Sequence, residues 1–363
     1  MGFKCGIVGL PNVGKSTLFN ALTNAGIAAA NYPFCTIDPN VGMVPVPDPR
    51  LAQLSAIVQP EKVIPASMQF VDIAGLVAGA ASGEGLGNQF LAHIRETDAV
   101  AHVVRCFADD DITHVAGRLS PVDDVETIHT ELALADLETC EKAIARVQRA
   151  AGSGDKDAKI DLVALEAALA GLNEGKGVRE QKLDEEVLER LQSLHLLTAK
   201  PLMFVANVDE TELNGGAYLD QLKALADQQG APLVVVCAAI ESEIAQLEED
   251  ERREFMDDLG LEQSGLERMI NAGYGLLGLQ TFFTAGPQEV RAWTVRKGAK
   301  APEAAGRIHT DFERGFIKAE VVGFDDYLAA EGESGAREAG RLRIEGKDYV
   351  VCEADVIHFR FNV

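Results

Sequence analysis

Gly9-Leu10-Pro11-Asn12-Val13-Gly14-Lys15-Ser16 is the stretch on which the fold turns. It fits G-x-x-x-x-G-K-[ST], a loop whose glycines let backbone amides close around a phosphate. The apolar run Phe3–Val8 precedes it, and a helical pattern starts at Ser16 with Leu18, Leu22 and Ala25 on one face. Strand, loop and helix N-terminus thus stand in the order a phosphate cradle needs. The amides of Asn12, Val13, Gly14 and Lys15 are expected to surround a β-phosphate, and Lys15 to reach the β- and γ-phosphates. Ser16 offers a hydroxyl to Mg2+, and Thr17 closes the set.

Working outward, short apolar runs at Met68–Ile73, Ala99–Cys106, Leu202–Val208 and Leu233–Cys237 read as parallel strands buried on both faces. Their alternation with helical segments predicts an α/β doubly wound sheet. From about Thr127 to Thr198 the pattern is helical throughout. Leu134, Leu137, Ile144 and Val147 form one stripe and Leu183, Val187, Leu191 and Leu194 another, broken at Gly152–Asp155 and Gly171–Gly177. That predicts an antiparallel helical arm, coiled-coil in character, inserted between two strands. After Gly278, Val290–Val295, Phe316–Val322, Tyr349–Cys352 and Val356–Phe361 read as strands of a small α+β domain. The expected division is 1–127 with 199–278 for nucleotide binding, 128–198 for the arm, and 279–363 for the last domain.

Composition narrows the function. The 363 residues include 33 Lys+Arg against 57 Asp+Glu, a net charge of −24. A general nucleic-acid coat needs the opposite balance, so DNA binding is not expected. No apolar run approaches the ~20 residues of a membrane span. Six scattered cysteines (Cys5, Cys35, Cys106, Cys140, Cys237, Cys352) without a Cys-x-x-Cys pair read as free thiols, and no signal-peptide region precedes Phe3; both suit a cytoplasmic protein. Residues 281–363 hold 12 basic and 14 acidic side chains, so nearly all the net charge lies upstream.

Three further motifs belong with the phosphate loop. Asp72-Ile73-Ala74-Gly75 closes a strand, which suits Asp72 to hold the metal and the Gly75 amide to meet a γ-phosphate. Thr36, in Asn31–Thr36, is the candidate second hydroxyl on Mg2+. Asn207-Val208-Asp209-Glu210 follows a strand where a base-reading motif belongs.

These motifs, with Gly83–Phe90 and the tail Ala305-Gly306-Arg307-Ile308-His309-Thr310-Asp311-Phe312-Glu313, resemble the Obg-related P-loop GTPases, and within them the YchF family. The likeness spans essentially the whole chain. It implies a P-loop nucleotide-binding domain, an inserted arm, a C-terminal β-grasp-like TGS domain, Mg-dependent ATP binding with GTP weaker, and association with the ribosome. It also implies that His114, in the loop 108–121, acts in hydrolysis together with Lys15; a surface histidine without a role stays open.

Two departures from the usual GTPase pattern are informative. Asn-Lys-x-Asp reads guanine through its Asp, whereas this chain has Val208 for the Lys and Glu210 for the Asp. Glutamate is one methylene longer, so the guanine contact is lost and ATP is favoured. Leu76 stands where many GTPases orient water with Gln, so intrinsic hydrolysis is expected to be slow. An Obg-type GTPase and a nucleotide-stabilised ribosome-binding adaptor remain open alternatives. Basic residues from Arg291 to Lys318, and Lys142, Arg146, Arg149, Lys156 and Lys159 on the arm, are the candidate rRNA contacts. Ala354 stands where the family usually has Gly, which predicts a turn there without positive φ.

Overall fold

The computed structural model describes residues 3–27, 40–73, 86–109, 114 and 117–362. It divides into two compact units, Met1–Met43 with Gln69–Gly273, and Val44–Met68 with Tyr274–Val363. The strands are β1 Lys4–Val8, β2 Val41–Pro45, β3 Lys62–Ile64, β4 Ser67–Asp72, β5 Ala99–Arg105, β6 Leu202–Asn207, β7 Leu233–Val236, β8 Leu279–Ala285, β9 Glu289–Arg296, β10 Phe316–Val322, β11 Arg343–Glu345 and β12 Val356–Phe361.

The first unit holds a sheet in the order β2-β4-β1-β5-β6-β7. Strand β1 runs parallel to both β4 and β5, with Cys5 opposite Phe70 on one side and Ala99 on the other. Strands β5, β6 and β7 continue in parallel. Every residue of β5 and β6 is buried, so neither strand shows the alternation of a half-exposed sheet. Phe70 and Phe204 are fully buried in this core. Truncating such a phenylalanine to Ala costs about 3–5 kcal/mol through lost transfer energy and the cavity left behind.

The arm grows from Pro121–Gly152, a 32-residue helix with Pro at its start and Asp123 and Asp124 in its first turn. Both features suit a helix N-terminus, where the proline N–H is not needed and negative charge meets the positive end of the dipole. Gly154 (φ +101°) reverses the chain. Asp155 then caps the helix Lys156–Asn173 by accepting from the amides of Asp157 and Ala158. Cys140, Ala143, Leu165, Ala168 and Leu172 form the seam between the helices, with Leu137, Ile144 and Val147 packed against it. Leu134, expected on that stripe, is instead 49% exposed. At the arm's root the fully buried Asp136 accepts from the amides of Leu197 and Thr198 and from the Thr198 hydroxyl, at 2.7–2.8 Å.

The second unit carries a mixed sheet, β11-β10-β12-β8-β9-β3, with β12 parallel to β8 and β3 parallel to β9. Helices Ala301–Ile308 and Thr310–Arg314 cover it. Residues 44–68, expected with the nucleotide domain, lie in this unit because β3 extends its sheet beside β9. The expected strand Tyr349–Cys352 is reduced to one bridge, between Lys300 and Val350. The chain turns there instead: the Tyr349 amide donates to Gly346 O, and Asp355 accepts from the Cys352 amide. Ala354, expected without positive φ, lies at φ +66°, so that turn is left-handed despite its side chain.

Candidate nucleotide-binding site

The loop leaving β1 enters the helix Lys15–Ile27, in the middle of the sheet where chain direction switches sides. Two residues in it take left-handed conformations, Asn12 at φ +61° and Gly14 at φ +95°. A Cβ on Gly14 would lie 2.3 Å from Asn207 Nδ2. The close approach is functional in form, because Asn207 stitches three segments together. Its Nδ2 donates to Val13 O and its Oδ1 accepts from the Ala238 amide, both at 3.0 Å. Asn207 thus holds the loop and the Cys237–Ala239 turn in place, with a second N–H on Nδ2 beyond the bond to Val13.

Lys15 is buried, and its ammonium donates to Gly9 O (2.9 Å) and Leu10 O (2.7 Å), two carbonyls of its own loop. Burial pushes its pKa down to about 8, with the Asp72 carboxylate opposing the shift. Ser16 and Thr17 are exposed at the start of the helix. Asp72 ends β4, and its Oδ1 is buried without a hydrogen-bond partner. Burial raises the Asp72 pKa and Lys15 restrains it. A carboxylate oxygen left without a donor beside a hydroxyl-bearing helix start is what a hard divalent cation, or its water, would satisfy. The residues present therefore fit Mg2+.

The base-reading segment divides its roles. Val208 is buried. Asp209 caps the following turn by accepting from the amide (3.1 Å) and hydroxyl (3.0 Å) of Thr211. Glu210 is exposed. The structure thus brings together Asn12–Thr17, Asp72 and Asn207. Thr36 and Gly75 lie outside the described residues, as does Leu76. His114 is held by Asp124, Nε2 to Oδ2 at 2.9 Å, with both side chains largely buried. Asp124 was not legible as its partner; the only signal is a carboxylate in the first turn of a helix ten positions on.

Comparison with known proteins settles the family. Residues 4–135 match the family described as 50S ribosome-binding GTPase, and residues 279–362 match YchF-GTPase_C, described as a protein of unknown function (DUF933). The chain is 63% identical over its full length to Ribosome-binding ATPase YchF of Haemophilus ducreyi, all of which is covered. The chain belongs to the YchF family. Ribosome-binding ATPase YchF of Bacillus subtilis is 56% identical, again with both chains covered in full. The YchF GTPase of Schizosaccharomyces pombe superposes with a TM-score of 0.90 at 38% identity, covering 99% of this chain and 98% of that one. The YchF architecture of P-loop domain, helical arm and C-terminal α+β domain is therefore the architecture here. Five of the cysteines are unbridged, with Cys35 outside the described residues, and no described helix is long and apolar enough to cross a membrane.

Proposed function

We propose that this YchF member is a Mg2+-dependent switch that binds ATP in preference to GTP, hydrolyses it slowly and associates with the ribosome. The observation that carries nucleotide binding is the buried Lys15 ammonium, held on loop carbonyls beside a carboxylate with an unpartnered oxygen. A triphosphate can take over the lysine's weak neutral partners with charged ones, which are about twice as strong. Ser16, Asp72 and Thr36 would hold Mg2+, which neutralises triphosphate charge when bound. Gly75 would meet the γ-phosphate. Preference for ATP is supported by Val208 and the exposed Glu210, which replace the two guanine-reading side chains.

His114 is the residue assigned to position the attacking water. Asp124, bonded to Nε2, supports this by fixing the ring. Ribosome association is supported by the names of the relatives and by five exposed cationic side chains near the arm's tip, Lys142, Arg146, Arg149, Lys156 and Lys159. The test is displacement of a labelled ATP analogue, with Mg2+ present. ATP should compete at lower concentration than GTP, and Lys15→Ala should lose turnover by at least ~100-fold. Preferential displacement by GTP, or full turnover in the variant, would defeat the proposal.

A further inference from the structure

Arg105 closes β5 directly opposite Asn207 of β6, and the Cys106 amide that follows donates to Asn207 O at 2.8 Å. The end of β5 thus lies one strand spacing, about 4.8 Å, from the residue that holds the phosphate loop. Arg105 is buried, and its guanidinium fastens the chain as it leaves the strand. Its Nε donates to Phe107 O and its Nη2 to Asp109 O, both at 3.0 Å. The same group lies over the Phe107 ring, 4.7 Å from the centroid. The segment leading to His114 therefore starts from a fixed point at the nucleotide edge of the sheet.

A second element holds the histidine itself. Asp124 is buried in the first turn of the helix Pro121–Gly152, and its carboxylate meets His114 Nε2 at 2.9 Å. Burial raises the Asp124 pKa, while the His114 hydrogen bond and the Arg105 charge hold it down against Asp123. Stability alone does not account for such a pair, because apolar side chains of similar volume serve a buried site as well or better. What the carboxylate adds is orientation. When ionised it can only accept, so Nε2 carries the hydrogen and the lone pair of the neutral ring lies on Nδ1.

We propose that Asp124 and Arg105 are positioning residues for hydrolysis: Asp124 fixes the orientation and the donor–acceptor sense of His114, and Arg105 fixes the chain that carries this histidine. The proposal rests on the assignment of His114 to the attacking water, and both residues act through that ring. A strand end and a long helix are rigid supports, which hold a side chain more closely than a loop does. Asp124→Asn is the sharpest probe. Its amide has the same size but can donate to Nε2, which exchanges the roles of the two ring nitrogens.

The experiment is steady-state ATP turnover by the full-length protein with Mg2+ present. In Asp124→Asn, kcat should fall at least about tenfold while KM and uptake of an ATP analogue stay unchanged, as expected where an interaction serves the transition state alone. Arg105→Gln should lower kcat in the same way. In a His114→Ala background neither substitution should cost more than about a further twofold, because residues that act as one unit are not additive. Turnover at the parent rate in Asp124→Asn, with His114→Ala impaired, would overturn the positioning role and leave the histidine assignment standing. A larger added loss in the His114→Ala background, or weakened uptake of the analogue in Asp124→Asn, would make Asp124 part of the scaffold and overturn it equally. Full turnover in His114→Ala would remove the histidine assignment and the proposal with it.

Discussion

Gly14 is the residue at which sequence, conformation and packing impose the same demand. Its φ of +95° disfavours a side chain, and Asn207 Nδ2 occupies the place a Cβ would take. Gly14→Ala should therefore weaken binding of the labelled ATP analogue at least about tenfold, and lower stability by about 1–3 kcal/mol by displacing the Asn207 stitch. Ala354 is the opposite case, a side chain kept at φ +66°. Ala354→Gly removes left-handed strain of about 1–2 kcal/mol but adds unfolded-chain freedom. The net expectation is a rise of roughly 0.5–1 kcal/mol, measured by denaturant unfolding.

Among the elements, the arm's root holds one pH-sensitive part of the fold. His129, on the helix Pro121–Gly152, has its pKa lowered from 6.5 to about 4. The unfolded chain therefore binds the extra proton first, between those two values. The contribution is intact above about pH 6.5 and is lost progressively as pH falls towards 4, by about 3 kcal/mol in full. Neighbouring His102 shifts in the same direction. Thermal unfolding from pH 7 to pH 4 should show a smaller loss in His129→Leu than in the parent chain.

The strands of the first sheet that were legible, β1 and β4 to β7, are apolar runs whose burial is local in origin. Strands β3 and β11 were not, because three residues with mostly exposed side chains carry no periodic signal. Buried β8 is hidden for another reason: Gln280, Thr281 and Thr284 interrupt its apolar run, so its burial shows only once the sheet covers both faces. The phosphate loop is legible since its mechanism is written in eight consecutive residues. The Asn207 stitch is not, because its partner Val13 lies 194 residues away and only the sheet brings them together.

At the scale of the molecule, charge is unevenly spread. A chain of net charge −24 could meet an RNA-rich surface only through local basic faces. Cosedimentation with ribosomes should therefore weaken steeply as salt rises, since counterion release scales with the phosphates neutralised. Lys156→Glu combined with Lys159→Glu, both exposed at the arm's tip, should reduce that cosedimentation and flatten its salt dependence while ATP affinity stays constant.

The parallel pairing of β3 with β9 has a consequence for how the molecule is made. Lys62 and its partner Glu289 are roughly 230 residues apart in the chain. During translation the earlier strand leaves the exit tunnel long before its neighbour exists, at about 5–20 residues per second a wait of ten seconds or more. The nascent polypeptide must carry that segment as a bare edge until residues 289–291 have been synthesised, so this pairing is a late event in making the sheet rather than one formed as the strand emerges.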